Sequence, residues 1–109
     1  LFNDDNLDFL TLYWLSGWFG ESYEIWKGKK NRDASTEHEV VFPITLVWPL
    51  TEEPEQGLVI IRRQGSELVF TVDWFPGEEF PLDVYRSVSK SQVLLMSVFE
   101  RETVFLHLK

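Results

Sequence analysis

Alternation between apolar and polar positions dominates the second half of the chain. Leu68, Phe70, Val72 and Trp74 fall on one face of an extended segment, and Glu67, Thr71 and Asp73 lie between some of them on a more polar face. Val104, Leu106 and Leu108 repeat the pattern, with His107 turned the other way. A period of two sends successive side chains to opposite faces of a strand, so both segments read as half-buried strands, with Trp74 buried in its row. The punctuation agrees. Short apolar runs are separated by Gly28, by Pro54 with Gly57, by Gly65, by Pro76 with Gly77, by Ser89 with Lys90, and by Glu100 with Arg101. The predicted strands are 22–27, 39–47, 58–63, 67–75, 80–87, 93–99 and 103–108. Val40 to Trp48 is largely apolar on both faces, which places that strand centrally or under a cover.

Ahead of the strands, Asn6 or Asp5 can cap a short helix that carries Leu7, Leu10, Tyr13 and Trp14 on one side. Asp8 would sit in its first turn and Gly17 would stop it. The aromatic residues within Leu12 to Leu15 also suit a strand, which is the competing reading. Turns of only a few residues link the last five strands, so sequential neighbours must pair antiparallel as a meander. A meander this long closes as an up-and-down barrel or packs as a two-sheet sandwich. The expected class is all-β with one short N-terminal helix.

Composition narrows the picture. A chain of 109 residues fits one domain, and 44% hydrophobic and 16% aromatic content, with five Trp and nine Phe, excludes disorder. Asp and Glu number 18 against 10 Lys and Arg, for a net charge of −8, so no nucleic-acid partner is expected. The absence of cysteine removes disulfides, thiolate metal sites and cysteine nucleophiles, and leaves the compartment open. The longest uncharged stretches, Phe9 to Gly20 and Val40 to Thr51, are too short to cross a bilayer, so no membrane span is expected. The chain opens on Leu1 with acidic residues close behind and could be a trimmed or mature piece.

Trp14-Leu15-Ser16-Gly17-Trp18, followed by Tyr23-Glu24-Ile25-Trp26, resembles the opening of small bacterial lipocalin-like domains of the calycin class. There a short helix leads through a Trp-Leu-x-Gly turn into the first strand, and a Glu-x-Trp strand follows. The hairpin through Gln64-Gly65-Ser66 and the two later hairpins over 80–108 also look like theirs. The chain departs from one such family at Ser97 to Glu102, which lacks an Asn-Pro acidic turn, and at Gly28 to Asp33, which replaces a glycine-rich link. The chromophore lyases of phycobiliproteins, also calycins, show a similar start, here Trp14 to Phe19. The resemblance implies a small lipocalin-like barrel, and it bears on the fold more than on the function.

Candidate chemistry follows from residue types. Trp14, Trp18, Trp26, Trp48 and Trp74 could line an apolar cavity, although narrow barrels usually fill themselves with such rings. Lys27, Lys29, Lys30 and Arg32, next to Trp26, form the clearest positive patch, able to hold an anionic group at a barrel mouth or to solvate a loop. Chain proximity puts Trp18 and Trp26 beside that patch. Arg62 and Arg63 are adjacent in a strand, so one points inward unless the strand is an edge, and an inward Arg would mark a carboxylate or phosphate site. His38 between Glu37 and Glu39, and His107, cannot supply convergent metal ligands.

Asp4-Asp5, Glu52-Glu53 and Glu78-Glu79 fall in turns or chain ends and read as solvated charge rather than a glycosidase pair. Ser16, Ser22, Ser66 and Ser97 lack a nucleophile context. Neither an enzyme nor a cofactor is expected, and the candidate ligand-binding residues are Trp18, Trp26, Trp48, Lys29, Lys30, Arg32 and Arg62. Two functions remain. The first is binding a small apolar or amphipathic ligand in a barrel cavity. The second is an acidic protein-interaction module, such as an inhibitor, immunity protein or assembly subunit, with a filled core and exposed aromatic residues or a free sheet edge.

Overall fold

Rows of alternating apolar residues become the inner faces of eight strands. The computed structural model describes residues 7–18, 20–89 and 92–109. Its strands are β1 (Phe9–Ser16), β2 (Ser22–Lys29), β3 (Glu39–Trp48), β4 (Gln56–Gln64), β5 (Glu67–Val72), β6 (Phe80–Ser89), β7 (Gln92–Phe99) and β8 (Glu102–Leu108). Each pairs antiparallel with the next, and β8 returns to β1, so the sheet closes as a barrel and not as a sandwich. Leu12, Phe42, Val59, Ile61, Phe70, Leu95, Val104 and Leu106 are almost wholly buried in the shared core. Among the described residues no helix occurs, and none is long and apolar enough to cross a membrane.

The N-terminal helix is where expectation and structure part. Residues 9–16 form β1, with Leu10, Leu12 and Trp14 inward on a period of two. Leu7, Leu10 and Trp14 do fit one helical face, but β2 and β8 each need a partner, and β1 supplies both through Leu12↔Trp26 and Leu12↔Leu106. A helix there would leave two sheet edges open, so tertiary pairing overrides the local pattern. The expected caps Asp5 and Asn6 lie outside the described residues. A smaller difference is that β5 stops at Val72, because Phe75 N–H turns back to the Val72 carbonyl at 3.2 Å and Asp73 accepts the Leu58 N–H at 3.1 Å.

β3, apolar on both faces, is covered. The 30–38 loop lies over the outside of Val41: Asn31 N–H donates to the Val41 carbonyl at 2.8 Å, and the Val41 N–H donates to Ser35 Oγ at 3.0 Å. Gly28 of β2 pairs with Ile44 of β3. A Cβ built there would sit 1.9 Å from the Pro43 carbonyl oxygen, so only glycine fits this barrel corner.

In an up-and-down barrel alternate loops gather at the same end. Loops 17–21, 49–55, 73–79 and 100–101 form one end, the mouth. Loop 30–38, the 65–66 turn, the start of β1 and the end of β8 form the other, the base.

Candidate functional site

The mouth is closed from within by aromatic rings. Trp14 points inward from β1 and meets Trp74 at 5.6 Å, Phe75 at 5.7 Å in a stack, and the edges of Phe80 at 6.5 Å and Phe99 at 5.8 Å. Phe80 stacks on Phe99 at 4.3 Å, and Trp26 stacks on Trp74 at 4.8 Å. Trp74 and Phe75 come from the 73–79 loop, which folds over the opening. Trp74 can lie there because its wall is Gly57, where a Cβ would come within 2.8 Å of the indole. Trp74 is half-buried against the core, short of the burial its row suggested, because the chain has already left β5.

Carboxylates ring these aromatics. Glu102 accepts the Trp14 indole N–H at 2.6 Å and the Ser16 hydroxyl at 3.1 Å. Glu24, cross-strand from Trp14, is half-buried. Burial pushes its carboxyl above the usual range, the charges of Glu55 and Glu102 push the same way, and the Trp26 indole opposes them. The Trp26 N–H lies near enough to favour the Glu24 carboxylate, yet it makes no hydrogen bond of acceptable geometry. Glu24, Trp26, Glu55, Gln56, Asp73 and Trp74 enclose a cleft of about 310 Å³. A second cleft of about 300 Å³ lies between Trp18, Phe75, Phe80, Phe99 and the carboxylates of Glu78, Glu100 and Glu102.

The four mouth loops concentrate the charge of the whole chain. They carry eight carboxylates, Glu21, Glu52, Glu53, Glu55, Asp73, Glu78, Glu79 and Glu100, against the single guanidinium of Arg101, and with Glu79 turned to Arg62 on the outer wall a net of six negative charges remains. Apolar exposure collects at the same end. Of nine exposed large hydrophobic side chains among the described residues, Leu15, Trp18, Tyr23, Trp48, Leu50, Phe75 and Val98 lie at or beside the mouth, leaving Phe9 and Tyr13 elsewhere. Leu50 is 81% exposed, and Arg101 lies over the Trp18 ring at 5.3 Å.

The candidate residues read from sequence are dispersed. Trp26 is inside the barrel, buried in the core. Trp48 is outside, because the bulge between Ile25 and Trp26 sets it opposite Ile25, and it stacks on Tyr23 at 6.1 Å. Trp18 is at the mouth, whereas Lys29, Lys30 and Arg32 are at the base. β2 runs the height of the wall between them, so the expected grouping of Trp18 with the basic loop does not form. Arg32 makes two hydrogen bonds to Asp8, at 3.0 and 2.9 Å, and Lys30 stands 3.5 Å from the same carboxylate. Arg32's hydrogen bonds, with the charges of Arg32 and Lys30, hold the Asp8 carboxyl below its usual range against some desolvation. Lys29 instead lies 5.9 Å from the Phe9 ring.

Arg62 points out of the barrel, not inward, and pairs with Glu79, which also accepts from Gln64 at 3.1 Å. Its neighbours explain the choice, since Ile61 takes the inward position. His107 faces outward and meets Gln92 at 3.3 Å. Among the described residues no group of three or more His, Asp or Glu side chains converges as a metal site. The missed site residues are Glu24, Glu55 and Asp73. The Glu-x-Trp spacing of Glu24 and Trp26 was visible and puts both on one face, but nothing local showed that the β3–β4 and β5–β6 loops would meet them.

No protein family, curated protein or solved structure matches the chain. The barrel shape alone does not assign it to the calycins.

Proposed function

We propose that this domain is a non-enzymatic interaction module whose mouth docks a basic polypeptide carrying apolar anchors. One observation carries the reading: a net of six negative charges and seven of the nine exposed large hydrophobic side chains among the described residues share one end of the barrel. Singly exposed apolar residues are ordinary, but a cluster of them rimmed by charge is characteristic of a docking surface. The field of the rim would steer a cationic partner, and Trp18, Leu50 and Phe75 offer desolvating contacts at the point of arrival. Ring-on-ring filling of the interior favours this over an apolar ligand held among the strands. Closure of β8 on β1 leaves no free edge in the described sheet, which favours loops over strand addition as the means of contact.

The test uses a short peptide of alternating Lys and Leu, with a Glu and Leu peptide as control, followed by tryptophan fluorescence and calorimetry. The basic peptide is expected to bind, the acidic one not, and binding should weaken as salt rises, since exposed charges are screened beyond about 8 Å at physiological ionic strength. Replacing Glu52, Glu53, Glu78 and Glu100 together by Gln should lower affinity about tenfold or more. Equal binding of both peptides, or no loss in the fourfold variant, would refute the proposal.

A further inference from the structure

One stretch of outer wall at the base is opposite in charge to the mouth. Phe9 and Thr11 of β1 stand beside their cross-strand partners Lys29 and Lys27 of β2, and with Lys109 they line a groove of about 390 Å³. Leu10 turns into the core between them, so these alternate side chains face out. Phe9 is 54% exposed, with Lys29 over its ring. Lys30 and Arg32 are tied to Asp8, and Arg62 to Glu79, whereas Lys27, Lys29 and Lys109 make no ion pair among the described residues. The groove therefore sets an exposed apolar ring among three ammonium groups that no described carboxylate neutralises.

The mouth carries the complement. In the 49–55 loop, Leu50 is the most exposed large hydrophobic side chain among the described residues, and Glu52, Glu53 and Glu55, all exposed, follow it. An apolar knob with three carboxylates matches an apolar groove with three ammonium groups. The two surfaces lie at opposite ends of the wall, one after β3 and the other at the start of β1, so no copy can satisfy its own. The chain's net charge of −8 makes copies repel at a distance, but at physiological ionic strength that repulsion is screened beyond about 8 Å, and the charges that meet at contact decide.

We propose that the partner received by the mouth is a second copy of this chain, the Leu50 to Glu55 loop of one copy docking in the Phe9, Lys27 and Lys29 groove of the next. The inference rests on the reading of the mouth as a docking surface and names its occupant. A contact between two different patches is heterologous, so every pair keeps one free loop and one free groove, and association continues past the dimer into a ring or a filament. Both patches are small, which makes the contact weak and transient.

The experiment follows the mass of the intact protein by analytical ultracentrifugation, over a concentration series that reaches the millimolar range at physiological salt. Wild type should rise through the dimer mass without a plateau there. A loop variant, Leu50→Ser with Glu52→Gln and Glu53→Gln, and a groove variant, Lys27→Gln with Lys29→Gln, should each associate about tenfold or more weakly. All five side chains are exposed, so both variants should keep the wild-type circular dichroism. Mixed in equal amounts, the two variants retain one good loop and one good groove between them, and should form a 1:1 pair and nothing larger. A wild type that stays monomeric, one that stops at a dimer unaffected by either variant, or variants that do not complement each other would overturn the proposal. A monomeric wild type that sediments with phosphatidylserine vesicles, and loses this in the groove variant, would overturn it in favour of a membrane surface. The Lys and Leu peptide separates the two readings, since it should bind the groove variant as tightly as wild type. Peptide binding by a monomeric wild type keeps the mouth as a docking surface and removes the second copy; no peptide binding and no association removes both.

Discussion

Substituting alanine at Gly28 should be among the most damaging single-methyl changes this barrel can receive. The added Cβ would meet the Pro43 carbonyl oxygen at 1.9 Å, the Pro43 carbonyl carbon at 2.9 Å and Ile44 Cγ2 at 2.9 Å, whereas real Cβ contacts stay beyond 3.0 Å. The first two atoms are backbone, so no side-chain rotation relieves the clash. β2 and β3 must separate at Gly28↔Ile44 and at the adjoining Lys27↔Thr45 pair. Losing one or two ladder hydrogen bonds costs about 1 kcal/mol each, and overpacking adds about 1–3 kcal/mol, which gives about 2–5 kcal/mol in all. That is a large part of the typical total of about 5–15 kcal/mol for a domain. At about 4 °C per kcal/mol, the low end for a chain of this length, the melting midpoint should fall by about 8–20 °C. Thermal and urea unfolding followed by circular dichroism would measure it. Gly77→Ala is the control, since open space surrounds its Cβ and only the positive φ of 81° is penalised, by about 1–2 kcal/mol. A Gly28→Ala midpoint within about 5 °C of wild type would show that the β2–β3 corner is looser than drawn.

Two further changes test the mouth. Burial and neighbouring carboxylates raise the Glu24 pKa, so the folded state pays for its ionisation only above that raised value. Glu24→Gln should therefore be more stable than wild type at pH 7, and the difference should shrink as pH falls through the folded pKa and vanish below about 4.5, the unfolded value. A gap that widened on acidification would contradict the assignment. Glu100 takes φ of 50° at the first residue of the β7–β8 turn, a position where the β4–β5 turn has Gly65 at 63°. Glu100→Gly should gain about 1 kcal/mol, the relief of left-handed strain less the added chain entropy, seen as a higher urea midpoint with unchanged slope.

Seven of the eight strands were legible because their inner rows keep a period of two and their turns carry Gly, Pro or paired polar residues. β1 was not, since Leu7, Leu10 and Trp14 also fit a helical face, and only the need of β2 and β8 for partners decides between the patterns. The site failed for a different reason. Trp18 and Lys29 are close in sequence but lie at opposite ends of the wall, because β2 is long enough to span it. Asp8 neutralises Arg32 across 24 positions, a pairing with no local mark. The acidic mouth was readable in part: Glu52-Glu53 and Glu78-Glu79 were visible as turn charges. Combining the meander with the rule that alternate turns share an end would have stacked them together.

The β1–β8 seam also bears on how the protein is made. Leu10 must pair with Leu108 and Leu12 with Leu106, so the first strand of the barrel waits for its last. Until then β1 can be held only by β2, with one edge of its backbone unpaired and Tyr13 and Leu15 beside it. Contacts so distant along the chain slow folding and lengthen the interval in which an open edge can capture another chain. The vulnerable species is therefore a seven-strand open sheet, and a chaperone would matter most before β8 closes it on β1.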